Sequence, residues 1–164
     1  MIRRCGPADF ESIFQIINDS AQAYKGIIPE DRWHEPYMPR GELRHEISDG
    51  VIFWGFELDA GLAGVMGIQD KGRVCLIRHA YVLPVCRRQR VGTRLLKHLE
   101  STTSKPMLIG TWAAASWAVA FYVKNGYRVV TEQEKNRLLL EYWSIPERQV
   151  QTSVVLADDK WVDL

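Results

Sequence analysis

A chain of 164 residues is long enough for one domain with a buried core and short for two, so residues 1–164 are expected to form a single domain. Apolar residues make up 46% and charged residues 25%, which argues against intrinsic disorder and fibrous repeats. Lys and Arg number 21 against 20 Asp and Glu, a net charge of +1 that offers no broad field for a nucleic acid.

No apolar run approaches the roughly 20 residues of a membrane helix, and the opening Met1-Ile2-Arg3-Arg4 has no apolar leader. The expected location is the cytoplasm, with no membrane partner. Cys5, Cys75 and Cys86 form no CxxC pair and have no histidine at ligand spacing, so neither a disulfide frame nor a metal site is expected.

Residues 2–5 suit a short strand. Pro7 then opens a helix whose apolar face, Phe10, Ile13, Phe14, Ile16, Ile17 and Ala21, recurs at steps of three and four and runs to about Tyr24. Residues 27–40 carry Pro29, Pro36 and Pro39 among Trp33, Tyr37 and Met38, and read as a loop with short helical turns. A helix over 42–48 ends at Asp49-Gly50. Residues 51–58 are rich in β-branched and aromatic side chains, residues 62–69 return as a paired strand after a turn at 59–61, and residues 74–83 follow the turn at 71–72 as a third, which predicts an antiparallel meander.

Beyond Pro84 the period changes. Val91, Leu95, Leu96 and Leu99 predict a helix from about Gln89 to before Pro106. A strand over 107–112, a helix over 113–124 closed by Asn125-Gly126, and extended chain over 127–130 follow, an alternation that suggests parallel pairing. A helix over 132–142 and a strand over 152–156 complete a mixed α/β chain, a central mixed sheet with flanking helices.

The most informative stretch joins a strand, a basic turn and a helix: Tyr81-Val82-Leu83-Pro84-Val85-Cys86-Arg87-Arg88-Gln89-Arg90-Val91-Gly92-Thr93-Arg94-Leu95-Leu96. A helix N-terminus presents unpaired N–H groups and the positive end of the helix dipole, which suits a pyrophosphate. Gly92 permits close approach of such a ligand. A basic run on its own reads as a solvated face, and its position between strand and helix favours phosphate binding instead.

Arg87 to Gly92 resembles the cofactor signature of the GNAT acetyltransferase superfamily, which runs Arg or Gln, two residues, Gly, one residue, then Gly or Ala. Arg90 stands where the family has its first glycine. About thirty residues on, Ala118-Val119-Ala120-Phe121-Tyr122-Val123-Lys124-Asn125-Gly126-Tyr127 is similar to the family segment A-x-x-x-Y-x-K-x-G-[FY]. Ala115 replaces an asparagine often found seven residues before that tyrosine. The two motifs in this order, with the flanking helices and meander, extend the resemblance over residues 2–156.

The resemblance implies a GNAT fold and transfer of an acetyl group from acetyl-CoA to an amine. Cofactor contacts would come from Ala80, Tyr81 and Val82 along the pantetheine arm, and from Arg87, Arg88, Gln89, Arg90, Val91, Gly92 and Thr93 at the pyrophosphate. Tyr122 would protonate the departing thiolate, and a backbone N–H near Val82 would receive the oxyanion. Tyr24, Trp33 and Tyr37 would line the acceptor site.

His79, in Arg78-His79-Ala80, can accept the proton of the acceptor amine or serve as a hydrogen-bonded structural residue. Strand alternation would send the side chains of Arg78 and His79 to opposite faces. The partners implied are CoA and an amine acceptor, with room for a homodimer, and no metal or nucleic acid. The alternative reading is an acyl-CoA-binding regulatory domain with weak turnover.

Overall fold

Strong β-formers between residues 51 and 83 make the strands expected of them. In the computed structural model, which describes residues 1–163, these are β2 (Ile52–Leu58), β3 (Gly61–Asp70) and β4 (Cys75–Val82), with β1 (Ile2–Arg4) at the start of the chain. Leu164 and the side chain of Arg88, both within the expectations above, lie outside the described residues. Later strands are β5 (Met107–Trp112), β6 (Arg128–Val129) and β7 (Ser153–Ala157). Together they form a seven-strand mixed sheet in the order β1-β2-β3-β4-β5-β7-β6.

The helices are α1 (Phe10–Ala21), α2 (Arg40–Ser48), α3 (Val91–Ser101), α4 (Ser116–Lys124), α5 (Glu132–Tyr142) and α6 (Glu147–Gln151). Two compact units divide the chain: Met1–Ala23, His34–Asp70 and Ile77–Ser104 in the first, and Tyr24–Trp33, Lys71–Leu76 and the chain from Lys105 onward in the second.

In the first unit β1 and β3 each pair antiparallel with β2. The i, i+3, i+4 stripe of α1 buries Ile13, Ile16 and Ile17 with Met38, Leu43, Val51, Phe53 and Val65. Helix α3 packs on β2 and β3 through Val91, Leu95, Leu96 and Leu99, all fully buried. Val65 belongs to the α1 core, and its neighbour Gly64 lies under Val91 of α3, so alternation along β3 gives each helix its own face of the strand. This explains why Ala63 to Gln69 are buried without interruption.

In the second unit β7 lies between β5 and β6 and pairs antiparallel with both. The parallel relation suggested by the strand-helix-strand alternation therefore holds in direction but not as a direct pairing, because the C-terminal strand inserts between the two. The core here is Val74, Leu76, Leu108, Val130, Leu138, Leu139, Tyr142, Val155 and Ala157. Thr131 caps α5 by accepting from the Glu134 N–H at 3.2 Å. The short helix α6, which follows Pro146, has no apolar period of its own and escaped the sequence reading.

Candidate active site

The anion-binding turn is built at the end of β4. After Leu83 the chain makes a 3-10 turn over Pro84–Gln89, and Arg90 then enters α3 in the left-handed region, φ 59° and ψ 25°. The helix therefore starts at Val91, two residues later than the periodicity suggests, because the left-handed residue must come first. Position 90 needs the conformation that glycine adopts without strain, a physical reason for glycine in the signature.

The first bond closing the helix runs from Arg94 N–H to Arg90 O at 3.1 Å. The N–H groups of Val91, Gly92 and Thr93 precede it, and no side chain caps them. Arg87, Gln89 and Arg90 face solvent, and Arg94 lies over the Phe56 ring at 4.6 Å. Such a turn can hold a doubly charged phosphate group through main-chain donors with cations around it.

Gly64, which the sequence reading did not single out, sets how closely the turn approaches the sheet. A Cβ there would lie 2.8 Å from Val91 Cγ1 and 3.2 Å from Tyr81 O. A glycine inside a strand pattern is the signal that could have found it. Ala80, Tyr81 and Val82 are half-buried on β4. Val82 O accepts from the buried Ser20 hydroxyl at 3.0 Å, and the Leu83 N–H donates to Ala63 O at 2.9 Å, which pins the strand just before the turn.

β4 is irregular at His79, φ 54°, three residues before Val82. The left-handed step breaks the period of two, so Arg78 and His79 do not face opposite ways. Both meet Glu46 of α2: Arg78 Nη2 donates to Glu46 Oε1 at 2.9 Å, and His79 Nε2 lies 3.2 Å from the same oxygen. That imidazole contact is short but off the line a hydrogen bond needs, and Nε2 is shut off from solvent.

Arg78 Nη1 also donates to Gln69 Oε1 at 2.9 Å, and Gln69 Nε2 donates to Asp49 Oδ2 at 3.1 Å. Phe53 stacks on the His79 ring, centroids 6.1 Å apart. Burial raises the Glu46 carboxyl, and the opposing pull of His79, Arg78 and His45 more than offsets it, leaving the group below its ordinary value. No sequence spacing announces Glu46, which lies 32 residues before Arg78.

The second unit carries Tyr122 on α4, 5% exposed, with Phe121 and Tyr127 edge-on to its ring at 5.0 and 5.9 Å. Burial, and then the neighbouring Tyr24, push the Tyr122 phenol well above the ordinary tyrosine value. It is therefore held neutral at ordinary pH. The αL glycine Gly126 and the bond from Tyr127 N–H to Tyr122 O close the helix as the Asn125-Gly126 signal implies. Ala115 is the N-cap residue of α4 and supplies no side-chain cap.

Tyr24 stacks on Trp117 at 6.0 Å, and Trp33 is half-buried in the same unit. Tyr37 belongs to the first unit, stacked on His34 at 6.3 Å. Burial raises the Cys5 thiol to about 11, which keeps it protonated and poorly nucleophilic at neutral pH. No described helix is long and apolar enough to cross a membrane.

Comparison with known proteins supplies the class. A family model for the acetyltransferase (GNAT) domain matches residues 18–141, most of the chain, and the protein belongs to that family. No curated protein sequence matches it significantly. Among solved structures, the chain is similar to a PaiA N-acetyltransferase from Thermoplasma acidophilum in complex with coenzyme A, at 20% identity, TM-score 0.73 and 98% of each chain covered. A GNAT acetyltransferase from Staphylococcus aureus Mu50 gives 14% identity and TM-score 0.72 over 96% of this chain and 97% of that one. The ribosomal-protein-S18-alanine N-acetyltransferase of Escherichia coli gives 15% and 0.67, over 100% and 96%. At such identities these likenesses establish the fold.

Proposed function

We propose that the whole chain acts as one GNAT domain that transfers the acetyl group of acetyl-CoA directly to a primary amine of a small molecule or protein. The observation that carries this reading is the turn at Arg90, a left-handed residue followed by the uncapped N-terminus of α3 in a basic segment. The coenzyme A held by the Thermoplasma protein supports the same ligand.

In this reading main-chain groups of Ala80, Tyr81 and Val82 hold the pantetheine arm. The segment Arg87 to Thr93 holds the pyrophosphate through its N–H groups and the positive end of α3. Tyr24, Trp33 and Tyr37 shape the acceptor site. The acceptor ammonium gives a proton to His79, the free amine attacks the thioester carbon, and a main-chain N–H near Val82 stabilises the oxyanion. As the C–S bond breaks, Tyr122 protonates the thiolate. Holding both substrates together supplies much of the rate.

Calorimetry with CoA and an amine-library screen with acetyl-CoA, following free thiol and confirming products by mass spectrometry, test the proposal. CoA binding with acetylated amine supports it. Folded protein that binds no CoA overturns it, and binding without turnover toward any amine favours the regulatory alternative.

A further inference from the structure

Two adjacent residues of one strand converge on a single carboxylate oxygen because one of them has a left-handed backbone. A non-glycine residue in that conformation is strained, and such outliers cluster at functional sites. At His79 the step turns the imidazole onto Glu46 beside Arg78. The carboxylate side chain is only 14% exposed, and Arg78 and His79 are 18% and 15% exposed, so the three groups interact with little solvent between them.

From this convergence we propose that Glu46 is a positioning residue for His79: its Oε1 accepts a hydrogen bond from Nε2–H, which keeps the proton on Nε2 and leaves Nδ1 to receive the proton of the acceptor ammonium. The assignment rests on the acetyl-transfer reading for its chemical purpose and on the contact alone for its geometry. Nε2 is the ring nitrogen pressed against Glu46 and closed to solvent. A neutral imidazole carries one N–H, and a carboxylate can only accept, so the pairing selects the Nε2–H form.

Proton transfer breaks an ammonium N–H bond and forms Nδ1–H. The positive charge moves from the substrate to the imidazolium, where the carboxylate lies 3.2 Å away. Arg78 holds the same carboxylate oxygen, and its guanidinium is held in turn by Gln69.

Nitrogen-15 NMR of the histidine side chains of the full chain, at a pH where the imidazole is neutral, reads the tautomer without any substrate. His79 is expected as Nε2–H in the wild type. Glu46→Gln keeps an acceptor oxygen at the same place and should keep this form with an intermediate kcat. Glu46→Leu removes the acceptor and should give a mixture of tautomers with kcat lowered about 10-fold or more, while acceptor KM and CoA affinity change by less than about 2-fold.

A wild-type Nδ1–H tautomer overturns the proposal. So does a Glu46→Leu protein with normal kcat, or a Glu46→Leu change that lowers kcat by the same factor in a His79→Ala background as in the wild type. Should Glu46→Leu fail to fold, the wild-type tautomer and the Glu46→Gln rates decide the question. Should the wild type acetylate no amine, the acetyl-transfer reading fails, and the tautomer still decides whether the pair exists.

Discussion

Arg90 enters α3 at φ 59° and ψ 25°, a region that costs a residue with a Cβ about 1–2 kcal/mol and glycine almost nothing. The Arg90 side chain is exposed, so a substitution there removes little packing. Replacing it with glycine relieves the strain, while the greater freedom of glycine in the unfolded chain returns about 0.4–1 kcal/mol. The balance is a stabilisation of about 0.5–1 kcal/mol, or a rise in Tm of about 1–4 °C for a chain of this size.

Arg90→Ala serves as the comparison, because it deletes the same guanidinium and keeps the left-handed strain. Differential scanning calorimetry of the ligand-free proteins should put the glycine variant above both the wild type and the alanine variant. Coincident melting of the two variants, or a glycine variant below the wild type, would refute the argument that position 90 is strained. CoA titration of the same pair measures the guanidinium separately, since both variants lack it.

Other perturbations act at neighbouring points. Gly64→Ala puts a Cβ 2.8 Å from Val91 Cγ1 and should cost about 1–3 kcal/mol by overpacking, together with weaker CoA binding as the start of α3 shifts; calorimetry showing unchanged CoA affinity would sink that link. Tyr122→Phe should lower turnover about 10²-fold or more with little change in CoA affinity, read as kcat beside Kd on protein of unchanged Tm. Because burial raises the Tyr122 phenol, its stability contribution is complete below the unfolded value of about 10 and is lost as pH rises beyond it; melting curves of the phenylalanine variant should be less sensitive to alkali. Asp9 is held at about 2 by Arg3 and the Gly6 N–H, so its contribution is present above the unfolded value of about 3.9 and is lost as pH falls toward 2; the Tm deficit of Asp9→Asn should shrink over that window.

Periodicity made most of the fold legible. The stripe from Phe10 to Ala21 and the pair Leu95-Leu96 mark helices that the structure buries on those same faces, because a 3.6-residue period requires a flat apolar partner. What stayed hidden depended on distant pairing. No local pattern places β7 between β5 and β6, since that insertion joins Val155 and Leu156 to strands formed much earlier in the chain. Helix α6 is five residues long, too short to display a period.

The site divides along the same line. The basic turn and the tyrosine motif are contiguous in sequence and could be read directly, whereas Glu46, Gly64 and Ser20 meet β4 and α3 only through folding. Backbone conformation ties the two groups together. Among the described residues, His79 and Arg90 are the non-glycine positions with positive φ, and they bracket the segment Ala80 to Gln89. Strain of this kind persists only where surrounding structure enforces it. Here Ser20 and Ala63 fasten Val82 and Leu83, and buried Val91 fastens the start of α3, so both left-handed steps have rigid neighbours. One step turns a side chain and the other exposes the N–H groups of a helix. Two strained residues at the ends of one ten-residue segment are the expected signature of a segment shaped for a ligand rather than for stability alone.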